Sequence, residues 1–499
     1  MISQPLFYAG ARQEPASGRY QDVIDPATGQ VVGRTARAAA ADVDAAVRSA
    51  KQAFDNPAWR NLSASQRADI LLGLAKTLHD NAAELIALEA TSTGASVVRM
   101  SSFDLPAVIQ MAMNVASQLP EYPFVQYPPI RPLPEAHHVR VVKEPLGVCA
   151  LITAWNGPLL LFMLKLIPAL AAGNTVVVKP AENASLSTFR LVELFNQFLP
   201  PGVVNIVTGG GAEVGDALTG HPDVAKISFT GSTGVGQHIQ KRAADGLKRV
   251  TLELGGKGPS IVLPDADLEL TARGATFGYL LHSGQICLSG TRLLVPDALH
   301  DALVERMVEL AGSLQPGNPL DPNTTLAPMA SEAHMRRVLG YIEAGKAEGA
   351  RLACGGGRLT SPECGAGFFV APTIFTEVRN DMQIAREEIF GPVLSVIRYG
   401  DVEEAIAIAN DSCYGLTAGL WSSDPVAAYS LCSRLQAGTV WINDWHAVTV
   451  DSPFGGYKQS GYGKELAIES IENYLQSKSI LASFERKPEF KAMHSMILR

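Results

Sequence analysis

The sequence predicts an α/β protein: a doubly wound parallel sheet, a second α/β unit, and a small separate β element. Three observations predict this. Between residues 144 and 255, short β-branched runs alternate with helical segments. After Gly256 a second texture of strands and helices begins. Two strand-like segments, 138–142 and 477–481, stand apart from both.

Taken in order, residues 41–120 carry apolar positions at three- and four-residue spacing, predicting helices over 42–54, 65–79 and 81–91 with Ser63 and Ser65 as caps. Parallel strands buried on both faces are predicted over 148–152, 175–178, 203–207 and 226–230, with crossover helices over 159–172, 187–198 and 211–219. Further on, strands are expected over 261–263, 292–295 and 393–397, and helices near 268–282, 300–313 and 331–348. Two lone strands far apart in the chain make a poor core by themselves, and such strands often pair with another subunit.

At 499 residues the chain exceeds one ordinary core. Its net charge of −8 is spread without long blocks, which argues against nucleic acid or an anionic membrane as partner. Six cysteines are too few for a disulfide framework, and none stands in a C-x-x-C pair, so reduced thiols and no metal site are expected. The uncharged stretch 147–164 is broken by Asn156-Gly157-Pro158 and reads as strand, turn and core helix. Nothing at the N-terminus looks like a secretion signal, and a cytoplasmic location is expected.

Chemistry concentrates in Leu252-Glu253-Leu254-Gly255-Gly256-Lys257 and Gly284-Gln285-Ile286-Cys287. Alone, such a cysteine is a small buried hydrophobe, and Glu253 would face solvent on an edge strand. Together they offer a thiol and a general base, which suggests covalent chemistry at a carbonyl carbon. No G-x-G-x-x-G is present. Instead Phe229-Thr230-Gly231-Ser232-Thr233-Gly234-Val235-Gly236 joins a strand to a helix, where exposed amides and the helix dipole favour a phosphate. Lys179-Pro180-Ala181-Glu182 ends another strand, where a ribose would lie in a doubly wound fold.

With Trp155-Asn156-Gly157-Pro158, Glu387-Glu388-Ile389-Phe390-Gly391-Pro392 and Gly455-Gly456-Tyr457-Lys458-Gln459-Ser460-Gly461 in the same order, the chain resembles the NAD(P)-dependent aldehyde dehydrogenases of hydrolytic type. The resemblance spans nearly the whole chain. It implies a Rossmann-like NAD-binding domain from 1–120 and 144–255, a catalytic domain from 256–455, and an oligomerisation element from 121–143 and 470–490. It also implies Cys287 as nucleophile, Asn156 and the Cys287 amide as oxyanion donors, Glu253 as base and Glu465 farther along a proton path. Cofactor contacts are implied for Ile152, Thr153, Trp155, Lys179, Ala181, Glu182, Gly211, Phe229, Thr230, Gly231, Ser232, Leu254, Gly255, Glu388 and Phe390. The expected cofactor is NAD, with NADP disfavoured because Glu182 would repel a 2′-phosphate. A homodimer or homotetramer is expected.

Ala154, Gly157, His282 and Asp444-Trp445-His446 depart from common family residues and bear on the substrate. The funnel is expected from Gly157, Leu161, Leu164, Phe277, Leu281, Ile286, Leu288, Val448 and Phe454, with no Arg among them. That set, widened by Gly157, predicts a bulky apolar aldehyde, with His282, Asp444 and His446 near the mouth as the polar reservation. The alternatives are a coenzyme A-acylating enzyme, disfavoured by Glu253, and a retired structural or ligand-binding relative, disfavoured because Cys287, Glu253, Asn156 and Lys179 are all present. A cofactor-free cysteine hydrolase would leave the nucleotide elements unexplained.

Overall fold

The computed structural model describes residues 2–130 and 136–497. An eight-stranded sheet forms the first centre. Its order is Gly461–Tyr462, Arg249–Glu253, Val224–Thr230, Val148–Ile152, Thr175–Lys179, Val204–Ile206, Leu6–Tyr8, Ala11–Gln13. The five inner strands run parallel, because each is linked to the next by a helix that returns the chain to the same edge. Strand order reverses between Val148–Ile152 and Val224–Thr230. A doubly wound sheet opens its ligand crevice there, at the carboxyl ends of the strands.

Helices follow the sequence pattern closely. Ala40–Asp55, Ala64–Asp80 and Ala82–Thr93 occupy the expected places. Ser63 caps the second of these in a reciprocal box with Gln66, while Ser65 lies inside the helix and caps nothing. The uncharged stretch divides as expected into the fully buried strand Val148–Ile152 and the core helix Pro158–Ala171. Among the described residues no helix is long and apolar enough to cross a membrane.

A seven-stranded sheet forms the second centre, in the order Arg351–Cys354, Thr373–Thr376, Val393–Tyr399, Arg292–Pro296, Pro259–Val262, Thr417–Trp421, Thr439–Ile442. His138–Pro145 and Leu475–Ala482 pair with each other, antiparallel, along their full eight-residue lengths. Val125–Gln126 completes this small sheet, and Leu475–Ala482 remains an edge with Ile480 and Leu481 exposed. Residues 131–135 of the Pro-rich stretch lie outside the described residues.

Candidate active site

Two of the strands carry the chemistry to one place. Glu253 ends Arg249–Glu253 in register with Thr230, and the Gly231 amide donates to the Glu253 carbonyl over 3.1 Å. The base candidate and the phosphate-turn candidate are therefore backbone neighbours. Contrary to a solvent-facing reading, Glu253 is only 4% exposed, and neither carboxylate oxygen has a protein partner. Burial first, then the charge of Glu465, raises its pKa well above the usual carboxylate range, while Lys165 and Lys464 pull the other way.

Glu465 lies behind the same point. Its backbone bridges Phe454 in both directions at 2.7 and 2.8 Å, and its carboxylate accepts from the ammonium of Lys165. Lys165 is fully buried in the helix Pro158–Ala171, two turns beyond Asn156. Sequence reasoning missed Lys165. Its signal was a lone charge in an otherwise apolar core helix, a position that requires an anionic partner.

Cys287 follows a strained turn. His282 and Ser283 both adopt left-handed backbone, φ 51° and 53°, and Gly284 follows at φ 73°. A Cβ on Gly284 would lie 2.2 Å from the Gly391 carbonyl, so only glycine fits. Side chains hold this turn in place. Gln285 donates through Nε2 to Pro328 O and accepts at Oε1 from the Ala330 amide, at 3.0 and 2.8 Å. Ser283 Oγ donates to Ala327 O at 2.6 Å. Gly256 backs directly onto the nucleophile candidate, since a Cβ there would stand 2.4 Å from the Cys287 carbonyl. Burial pushes the thiol up to about 12, with the carboxylates of Glu388 and Glu253 adding to it against the residue's own amide. Asn156 Nδ2 donates to Gln285 O at 2.9 Å, which spends one amide hydrogen and leaves the other.

A cleft of about 940 Å³ opens at the strand-order reversal. It is lined by Ile152, Thr153, Trp155, Lys179, Ala181, Glu182, Gly211, Phe229, Thr230, Gly231 and Ser232 among others, all expected cofactor contacts. Leu254, Gly255, Glu388 and Phe390 do not line it. Glu388 accepts from the Gly256 amide at 2.9 Å, and burial raises its pKa to about 7. Phe390, at φ 61°, meets the Trp155 ring edge-on at 5.3 Å, and its carbonyl accepts from His334 Nε2 at 2.7 Å. Gly255 backs onto the Glu388 carboxylate, whose charge is felt at the Cys287 thiol. The cleft suits a dinucleotide on its own evidence. Ser232 heads the helix Thr233–Asp245 without a side-chain cap bond, Thr230 Oγ1 is buried without a partner, and Lys179 Nζ reaches only the Pro180 carbonyl.

A second cavity, narrow and about 100 Å³, leads to Cys287. Gly157, Leu161, Leu164, Leu281, Ile286, Leu288, Val448 and Phe454 line it, together with Asn156 and Cys287. Residues 152–155 face the dinucleotide cleft and 156–157 face this tunnel, so a single turn separates the two. Several expectations need correction here. Phe277 does not line the tunnel; it is 47% exposed and borders a neighbouring cavity of about 340 Å³ that adjoins at Leu281. His282 and His446 are buried and not at an open mouth, while Asp444 is exposed outside it. An arginine does enter: Arg99 lines the tunnel, and its Nη2 lies 3.3 Å from where a Gly157 side chain would begin. Arg99 thus fills the room that glycine was expected to open.

The model of the aldehyde dehydrogenase family matches residues 13–480. The chain belongs to the aldehyde dehydrogenase family. It is 42% identical over 484 residues to DhaS of Bacillus subtilis (strain 168), itself a provisional aldehyde dehydrogenase, covering 97% of this chain and 96% of that one. Among solved structures it resembles betaine aldehyde dehydrogenase from Staphylococcus aureus in complex with NAD+, at TM-score 0.95 and 36% identity, over 97% of this chain and 96% of that one. It also resembles the NAD+ complex of an aldehyde dehydrogenase from Bacillus cereus, at TM-score 0.93 and 38% identity, covering 97% of each. The fold is that of the family, and the enzyme is an oxidoreductase acting on aldehydes.

Proposed function

We propose that the enzyme oxidises a mainly apolar aldehyde to its carboxylic acid with NAD, and that Cys287 is the nucleophile. One observation carries this reading: Cys287 and Asn156 line an apolar tunnel that adjoins the dinucleotide cleft, and the charge of the buried, unpartnered Glu253 is felt at the thiol. The thiol, held up near 12, must lose its proton as sulfur attacks, and Glu253 is the unpartnered base available to take it. The free hydrogen of Asn156 Nδ2 and the Cys287 amide then hold the resulting oxyanion of the thiohemiacetal; such a donor is worth about 10²–10³ in rate. The hydride would leave for bound NAD, which supplies the acceptor. The thioester left on Cys287 is hydrolysed by a water whose proton passes to Glu253, with Glu465 and Lys165 as the route onward. Lys179 and Glu182 would hold the adenosine ribose, the amides at Ser232 the pyrophosphate, and Glu388 the nicotinamide ribose, with Phe390 beside it.

The tunnel favours an apolar substrate over a quaternary ammonium. Its cation is Arg99, and its rings are Phe103, Phe454 and His446, which is no aromatic cage for a trimethylammonium group. We propose further that the edge strand Leu475–Ala482 joins two copies in a homodimer or a tetramer built from dimers. The deciding experiment follows NADH formation across acetaldehyde, hexanal, a terpenoid aldehyde, benzaldehyde and betaine aldehyde. Highest kcat/KM on the larger apolar members is expected, and preference for acetaldehyde or betaine aldehyde would overturn the substrate class. Cys287→Ala should abolish turnover while cofactor binding persists. Retention of more than a few per cent of the rate would remove Cys287 as nucleophile.

A further inference from the structure

Resting on the apolar-tunnel reading, we infer that the enzyme recognises a hydroxyl group on its aldehyde, bound between Arg99 and His446. The tunnel wall is hydrocarbon except for these two polar side chains beyond the catalytic pair. Arg99 is 7% exposed. Its Nε and Nη2 face the Asp104 carboxylate at 3.2 and 2.9 Å, and its Nη1 donates to the Asn156 carbonyl at 3.1 Å. A guanidinium has five N–H groups, so at least one hydrogen on each terminal nitrogen remains unclaimed.

His446 supplies the complement. It is 2% exposed, and its Nε2 lies 3.2 Å from the Gly278 carbonyl. A carbonyl only accepts, so Nε2 carries the proton and Nδ1 presents a lone pair. That Nδ1 is buried with no partner. Burial holds the ring neutral, and the charge of Arg99 is felt there, which places the two groups within electrostatic reach. Two side chains of one tunnel wall thus carry a donor with hydrogens to spare and a buried acceptor without a partner, and a small turn of the His446 ring toward the tunnel would let the pair match a hydroxyl, whose oxygen accepts while its hydrogen donates. Because Asp104 already balances Arg99, the site has no net positive charge to hold a carboxylate, and a neutral group fits best.

The test uses aldehydes matched in size: benzaldehyde against 3- and 4-hydroxybenzaldehyde, and hexanal against hydroxyhexanals. The wild-type kcat/KM ratio, hydroxylated over plain, should reach about tenfold for the best-placed isomer. In Arg99→Met and in His446→Phe this ratio should fall to about one. General damage to folding or to Asn156 lowers both members of a pair and leaves the ratio standing, so the readout is selective. Should Arg99→Met not fold, His446→Phe alone decides. A wild-type ratio near one for every pair, or a ratio unmoved by either variant, would overturn the hydroxyl site. Failure of all large aldehydes against acetaldehyde would instead overturn the apolar-tunnel reading on which it rests.

Discussion

Lys165→Met tests the carboxylate pair behind Cys287. Lys165 is fully buried, its ammonium donates to Glu465, and its charge also draws Glu253 downward. Met keeps the apolar stem and removes the charge. Breaking a buried ion pair on one side costs about 3–5 kcal/mol, because a carboxylate is left uncompensated. Protonation relieves that strain, and one pKa unit corresponds to about 1.4 kcal/mol. Withdrawing the Lys165 charge, which lowers Glu253, therefore raises Glu253 further. Only its ionised form is a base, so kcat on the acid side of the limb falls, by about 10- to 100-fold for half of that cost, and returns as pH rises. Stability follows the same sign. A carboxyl whose folded pKa is raised contributes fully below its unfolded pKa and loses that contribution as pH climbs, so the variant's deficit is least in acid and grows toward alkali. The assay is kcat across the neutral and alkaline range for wild type, Lys165→Met and Lys165→Met/Glu465→Gln. In the double variant the repelling carboxylate is gone too, and the limb moves back toward wild type. An identical limb in all three enzymes, with kcat only scaled down, would refute the reasoning.

Glu253→Gln should lower turnover by about 10²–10⁴, and a rapid burst of NADH before slow turnover would place the loss in thioester hydrolysis; an unchanged rate removes Glu253 from the mechanism. Gly256→Ala puts a methyl 2.4 Å from the Cys287 carbonyl and should cost about 10² in kcat/KM by displacing the thiol, with NAD affinity from fluorescence titration as the control. Glu182→Gln removes the charge that would oppose a 2′-phosphate, so the NADP-to-NAD ratio of kcat/KM should rise; a flat ratio counts against Glu182 on the ribose. Sedimentation should show dimers or tetramers, and charged substitutions at Ile480 and Leu481 should weaken them; a stable, active wild-type monomer would end that proposal.

The sequence made the inner parallel strands legible because Val148–Ile152 and Thr175–Lys179 are buried on both faces and so read as unbroken apolar runs. Leu6–Tyr8, Ala11–Gln13 and Gly461–Tyr462, which extend the same sheet, are two or three residues long and carry no periodicity to detect. Glycine-bearing motifs exposed the site for a steric reason. Gly256 and Gly284 are places where any side chain would strike the Cys287 or Gly391 carbonyl, so the pattern of glycines maps the walls around the thiol. Substrate residues were harder to read. Phe277 lies one turn from Leu281, yet the helix Leu268–Leu280 ends between them and Phe277 is exposed.

Arg99 was invisible for a reason rooted in helix geometry. An α-helix advances 100° per residue, so positions five apart lie on different faces, and Arg99 and Asp104 form no pair at three- or four-residue spacing. Residues Met100–Asp104 instead form a π turn, in which the Leu105 amide reaches back five residues to the Met100 carbonyl. The same five-residue register brings the Asp104 carboxylate onto the Arg99 guanidinium, with both side chains almost fully buried. Once paired, the arginine can extend into hydrocarbon and reach the Asn156 carbonyl, which an unpaired guanidinium could not do at tolerable cost. The wide turn is therefore what allows a charged residue to stand beside Asn156, and it sets a guanidinium into a tunnel wall whose only other polar group beyond Asn156 and Cys287 is His446.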